Sequence, residues 1–192
     1  MAKPGVLRDE RIVGSSVVHL AGMFILLFVF WLILSGRTDA KFIIYGLLTS
    51  MAAAWITYPL LLVRGRSGAK KYFVFGVWPH KLLRYFAWLM WQLVLANLDV
   101  MLATASERLD IDPKVVRFRF RTDNPMAEVA LANSITLTPG TVTINVTDEG
   151  LFEIHALTVG AAAGVLDGGM QKKVAELFGE TYEFSVVEGA AE

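Results

Sequence analysis

Ser134, His155 and Asp167 are the residue types of a nucleophilic triad, and His155 is the one histidine beyond residue 102. A triad needs a hydroxyl, an imidazole to take its proton and a carboxylate to orient the imidazole, all within hydrogen-bond reach. The surroundings of these residues argue against that chemistry. Ser134 sits in LANSITL, without the GxSxG elbow that exposes a nucleophile, and His155 is one position of the strand-like LFEIHALTV. The chain has no cysteine, which excludes disulfides, thiolate metal sites and a cysteine nucleophile. GAAAGVLDGG, residues 160–169, lacks the GxxxxGK[ST] and GxGxxG patterns that hold phosphates, and reads as a flexible loop. A membrane-anchored enzyme or a ligand-binding sensor is therefore the weaker alternative. No catalytic residue, cofactor or metal ligand is assigned.

A second kind of chemistry is written in LANSITLTPGTVTINV, residues 131–146. This stretch carries four threonines and a Pro-Gly pair and no charge. Residues 103–192 as a whole hold seven Lys/Arg against fourteen Asp/Glu, a net −7, so the gap in charge is local. Residues 1–102 hold eleven Lys/Arg against four Asp/Glu, a net +7. The basic half suits anionic lipid head groups, and the acidic half argues against nucleic acid.

The elements that must carry these residues begin in the membrane. The chain is 55% hydrophobic with a mean hydropathy of +0.51, high for a soluble domain. Residues 12–34 and 42–63 are apolar runs without Asp, Glu, Lys or Arg, and each exceeds the ~20 residues that span a hydrocarbon core. They predict a helical hairpin joined at SGRTDAK, not a cleaved signal peptide with its shorter apolar core. His19 is the one candidate in them among carboxylates, lysines and histidines, expected as a neutral imidazole hydrogen-bonded in a helix contact. Ion pathways at membrane depth need titratable groups, so the hairpin alone makes a poor transporter. Gly46, Ser50 and Ala54 form a small-xxx-small row suited to close helix packing, against the first span or a partner protein.

Residues 82–102 form a third long apolar stretch. Lys81, Arg84, Trp88, Gln92 and Asp99, with Tyr85 beside them, fall in one helical sector, an amphipathic pattern that suits a helix lying in the interface. YFVFGVWP before it reads as an aromatic interfacial segment. Arg64, Arg66, Lys70, Lys71, Lys81 and Arg84 are candidate lipid head-group contacts. With two spans, this group of six shares a side with the three bases of the N-terminal tail, opposite the two of the hairpin turn. That obeys the positive-inside tendency and makes the C-terminal domain cytoplasmic. A third span remains the alternative. The division expected is a membrane region, 1–102, and a cytoplasmic α+β domain, 103–192.

In that domain, after Asp110–Pro113, VVRFRFRT alternates Val116, Phe118 and Phe120 with Arg117, Arg119 and Arg121, a half-buried strand with a basic outer face. That face is either solvated or in contact with head groups or an acidic neighbour. Asn124-Pro125 marks a helix start, continuing through Ala132. TVTINV and LFEIHALTV flank TDEG as a hairpin, residues 170–178 show one apolar helical face, and TYEFSVV adds a strand or a tail. TPGT suits a β-turn between helix and hairpin.

The order HKLLRYFAWLMWQLVLANLDV … LANSITLTPGTVTINV … LFEIHAL resembles the MrpE family of the Mrp-type multisubunit sodium/proton antiporters, also called MnhE or, in potassium-linked systems, PhaE. The likeness runs from about Phe42 to Leu157, and ANSITLTPGT is its most specific part. It implies an accessory subunit of a hetero-oligomeric complex in the bacterial plasma membrane. Such a complex exchanges cytoplasmic Na+ (or K+) for external H+, with the ion paths in its larger members. On that basis Asn133, Ser134, Thr136, Thr138, Pro139, Gly140 and Thr141 are expected to shape a surface that docks on another subunit without burying an unpaired charge.

Overall fold

The structure, a computed structural model, describes residues 11–105 and 111–187. Lys3, Arg8 and Asp110, which enter the charge and boundary readings, lie outside the described residues. Two compact units divide between Gly76 and Val77. The long helix that begins at residue 79 thus belongs to the C-terminal unit.

The first unit runs β1 (Arg11–Ile12), α1 (Ser16–Ser35), α2 (Ala40–Thr57), a 3-10 turn (Tyr58–Leu61), β2 (Leu62–Arg64) and β3 (Lys70–Phe73). Helix α1 ends where Gly36, at φ 58°, turns the chain and returns its N–H to the carbonyl of Leu32. Helix α2 stops before Pro59, whose ring cannot continue it. The second apolar run therefore leaves helical form at Leu61, and its last residues enter a hairpin. β2 and β3 pair antiparallel, with Leu62 opposite Phe73 and Arg64 opposite Lys71, and β1 joins β3 in parallel. YFVFGVWP is thus partly strand, and its Tyr72 and Phe73 are buried. His19 departs from expectation in the same place. Its ring stacks on Phe73 at 4.7 Å, against a strand instead of a helix, and its buried Nδ1 has no hydrogen-bond partner among the described residues.

The second unit runs α3 (Pro79–Ala105), β4 (Lys114–Arg121), α4 (Pro125–Leu137), β5 (Thr141–Val146), β6 (Leu151–Ala156), α5 (Val159–Leu166), α6 (Gly169–Phe178) and β7 (Glu183–Val186). Its strands form one antiparallel sheet in the order β5-β6-β4-β7. Period-two alternation sorts the faces. Phe118, Phe120, Phe152 and Ile154 point inward and are fully buried with Leu131 and Ile135 of α4 and Val174 of α6. Each such side chain stabilises the fold by roughly 1.5–3 kcal/mol through burial. Asn124 caps α4, its Oδ1 accepting from the Met126 N–H at 3.0 Å, with Pro125 in the first turn. GAAAGVLDGG is not a loop. Thr158 caps it, Oγ1 accepting from the Ala161 N–H at 3.1 Å, and its alanines continue as α5, with Ala162 and Val165 buried.

Three helices among the described residues are long and apolar enough to cross a membrane by length and composition: Ser16–Ser35, Ala40–Leu61 (α2 with its 3-10 extension) and Pro79–Ala105.

Candidate functional site

The uncharged stretch 131–146 runs through the last two turns of α4, a tight turn and β5. Its hydroxyls are turned onto the chain's own backbone. Thr141 Oγ1, buried, donates to the carbonyls of Ile135 at 2.6 Å and Thr138 at 3.0 Å. Thr138 Oγ1 donates to the Ser134 carbonyl at 2.8 Å, closing the end of the helix. Thr136 Oγ1 donates to the Ala132 carbonyl and accepts from the Thr143 N–H at 3.2 Å; Thr143 Oγ1 also reaches the Ala132 carbonyl at 3.0 Å. These bonds occupy polar groups of β5, an edge strand that would otherwise offer them to another chain. Ser134 donates to the Ala130 carbonyl and shares a 2.7 Å hydrogen bond with the hydroxyl of Tyr85 on α3. Gly140 has φ 84°, and a Cβ there would lie 3.3 Å from Val100 Cγ2 of α3.

The surface expected to dock on another subunit is therefore, in large part, already docked on α3 of the same chain. Ser134 and Thr141 are buried, Thr138, Pro139 and Gly140 are half-buried, and Asn133 and Thr136 remain exposed. At Ser134 and Thr141 neutrality has a direct physical cause: a carboxylate or ammonium at either buried position would be desolvated without a partner.

The polar sector of α3 makes the other half of the seam. Tyr85 and Trp88 pack against the domain core. Lys81 and Arg84 line a crevice with Lys173 and Glu176 of α6, and Gln92 and Asp99 line a cavity of about 220 Å³ with Thr138, Thr141 and Thr158. The middle of the sector expected to face water and head groups, Tyr85, Trp88 and Gln92, faces the α+β domain instead, while Arg84 and Asp99 stay exposed. An amphipathic pattern requires only a polar neighbour, and sequence does not say which. The side of α3 away from this sector exposes Leu83 and Phe86, and its flanks expose Leu82, Trp91, Leu98 and Leu102.

The remaining candidates separate. Gly46, Ser50 and Ala54 are the buried residues of α2. Gly46 lies under the ring of Trp31 from α1, which a Cβ would strike, and Trp31 Nε1 donates to the Phe42 carbonyl at 3.2 Å. The row packs inside the hairpin. Arg64, Arg66, Lys70 and Lys71 belong to the first unit, in and around its β2–β3 hairpin, whereas Lys81 and Arg84 belong to α3 in the second. The triad types are not brought together. His155 lies on β6 between Ile154 and Ala156, which point into the helix-covered core, so its side chain takes the opposite face from Ser134 of α4. Asp167 Oδ1 accepts from the Gly169 N–H at the α5–α6 junction. Tyr85 as the partner of Ser134 is the functional contact that sequence reasoning misses; its place beside the polar sector is the available signal.

A pair of apolar helices and a small α+β domain clasping its own amphipathic helix through a neutral seam define a membrane-anchored subunit with no catalytic constellation assembled among the described residues. The chain belongs to the Na+/H+ ion antiporter subunit family, whose profile matches residues 24–177. It is 26% identical over 125 residues to the E1 subunit of the Na(+)/H(+) antiporter of Staphylococcus saprophyticus, covering 65% of this chain and 72% of that one. Among solved structures it is similar to a chain of the membrane-bound sulfane sulfur reductase, an archaeal respiratory membrane complex. The identity there is 30% and the TM-score 0.59, over 83% of this chain and 99% of that one. A chain of the Mrp complex from Dietzia sp. DQ12-45-1b matches at 23% identity and a TM-score of 0.35, over 52% and 94%.

Proposed function

We propose that this chain is an accessory subunit of a multisubunit antiporter that exchanges cytoplasmic Na+ (or K+) for external H+. In this reading it has a structural and assembly role, no ion path of its own, and a cytoplasmic C-terminal domain. The observation that carries it is the pairing of α1 and α2. Residues 16–35 and 42–57 contain no Asp, Glu, Lys or Arg, Gly46, Ser50 and Ala54 are buried, and Gly46 lies against Trp31 of α1. A hairpin built this way anchors; a cation route needs charge or carbonyls at depth.

The α3 contacts support a placement along the membrane surface. The domain meets α3 from Lys81 to Val100, about 28 Å of helix at 1.5 Å per residue. Were α3 to cross the bilayer, the domain and its charges would be dragged to the same depth, at a cost of several kcal/mol per charge. Lying in the interface, α3 keeps the domain wet and turns Leu83, Phe86 and Trp91 to lipid or to another subunit. Exposed Asn133 and Thr136 are what the seam leaves for a partner to touch.

The likeness to a respiratory-complex chain favours a second reading, in which the same kind of subunit serves a redox-driven membrane complex. Purification through a tag on this chain in mild detergent, followed by mass spectrometry, separates the two. Large antiporter-like subunits in fixed ratio support the first reading, and redox subunits with bound cofactors support the second. Recovery of the chain alone, folded, sinks both.

A further inference from the structure

We infer that the α1–α2 hairpin carries a binding site for one anionic phospholipid, in the leaflet on the side of the hairpin turn. Between the helices lies an open groove of about 570 Å³, within the ~300–1,000 Å³ of small-molecule sites. Leu27, Phe30, Trp31 and Leu34, spaced i, i+3, i+4 and i+7, form one wall, and the small Ser50 and Ala53 leave room opposite. At the turn the groove ends on Phe42 and Arg37, whose guanidinium lies 4.3 Å from the centre of the Phe42 ring. Arg37 is mostly exposed and held only loosely, its Nε 3.5 Å from Asp39, with no other ion pair among the described residues. Lys41, placed over Tyr45, adds a second cation at the same level.

Length decides the occupant. From Phe42 to Ala53 the groove follows eleven residues of α2, roughly 16 Å at 1.5 Å per residue. That is about half of the ~30 Å hydrocarbon core. A partner helix packed along the hairpin would want a groove through both leaflets; an acyl chain needs one. The polar end has the matching chemistry, a planar guanidinium that suits a phosphate. The fit is a chain in the slot and an anionic head group on Arg37.

The test uses the assembled complex in its own membrane. A benzophenone amino acid replaces Leu34, and light-induced adducts of this chain are weighed by mass spectrometry. The expected product is a phospholipid adduct enriched in anionic head groups over the bulk membrane. Arg37→Gln should lower that enrichment about ten-fold, the size of one charge-assisted hydrogen bond lost. Ala53→Phe, which fills the slot, should abolish the adduct while the other subunits still co-purify. An adduct to another subunit, or lipid adducts of bulk composition unchanged by Arg37→Gln, overturns the site. The inference rests on α1 and α2 lying in the bilayer, and resistance of the chain to carbonate extraction checks that separately.

Discussion

Tyr85 and Ser134 share a 2.7 Å hydrogen bond across 49 residues of sequence, and with it α3 is tied to the domain that follows it. Tyr85→Phe should destabilise the second unit by about 1 kcal/mol, the net worth of one hydrogen bond. Tyr85→Ala should cost about 3–4 kcal/mol, because the ring also packs on Trp88 and the core. Thermal unfolding of the purified protein measures both. A double-mutant cycle with Ser134→Ala should return a coupling near ~1 kcal/mol, and strict additivity would show the bond to be idle.

Thr141 tests whether the hydroxyl seam is structural. Thr141→Val keeps the shape but removes the hydroxyl donor to the carbonyls of Ile135 and Thr138, each of which keeps its backbone N–H partner, so a loss of about 1 kcal/mol is expected, with Thr141→Ser recovering most of it. Equal stability of the two variants would mean that the threonine serves only as a branched strand residue.

Gly140 is required twice, by its φ of 84° and by its closeness to Val100. Gly140→Ala should cost about 1–3 kcal/mol in backbone strain alone. Adding Val100→Ala relieves only the steric part. If Gly140→Ala melts like the parent chain, the turn has another conformation within reach.

In the hairpin, Gly46→Val drives a branched side chain into the Trp31 ring. The expected outcome is separation of α1 from α2, seen as a red shift of tryptophan emission and loss of a disulfide engineered across the pair. An intact hairpin would place the small-residue row at some other contact.

The arginines of β4 differ in their partners. Arg117 Nε meets Glu153 at 2.8 Å, half-exposed, so Arg117→Ala should cost roughly 0.2–1 kcal/mol after solvent screening. Arg119 is exposed opposite Leu151 and Ser185, and Arg119→Ala should stay within about 0.5 kcal/mol of the parent. Loss of complex assembly with Arg119→Ala, at unchanged stability, would identify the sheet face as a docking surface.

What can be read from the sequence follows the range of the forces involved. The strand VVRFRFRT, the Asn124-Pro125 start of α4 and the hairpin around TDEG are local patterns, and β4, β5 and β6 form where those patterns are, whereas α4 runs past its expected end at Ala132 to Leu137. The β2–β3 hairpin escapes an apolar count, which does not see the turn at Ser67-Gly68, although Gly68 takes φ 69° there. The site is half legible. Charge absence in LANSITLTPGT marks a buried polar seam, but which surface it meets is a tertiary fact. The helix that covers it begins some fifty residues before its Ser134, and the polar stripe of that helix fits water and the domain equally well. Helix α5 is hidden by its glycines, whose cost is outweighed by the Thr158 cap and the burial of Ala162 and Val165.

The neutral seam has a last consequence, for proton response. The hydrogen bond that ties α3 to the α+β domain runs between a phenol and a serine hydroxyl, neither of which changes charge between about pH 5 and pH 8. A protein that lives beside a proton-moving machine meets swings of acidity on its cytoplasmic or external side. The Tyr85–Ser134 bond is made alike through all of them, so any acid sensitivity of the chain must enter through other groups.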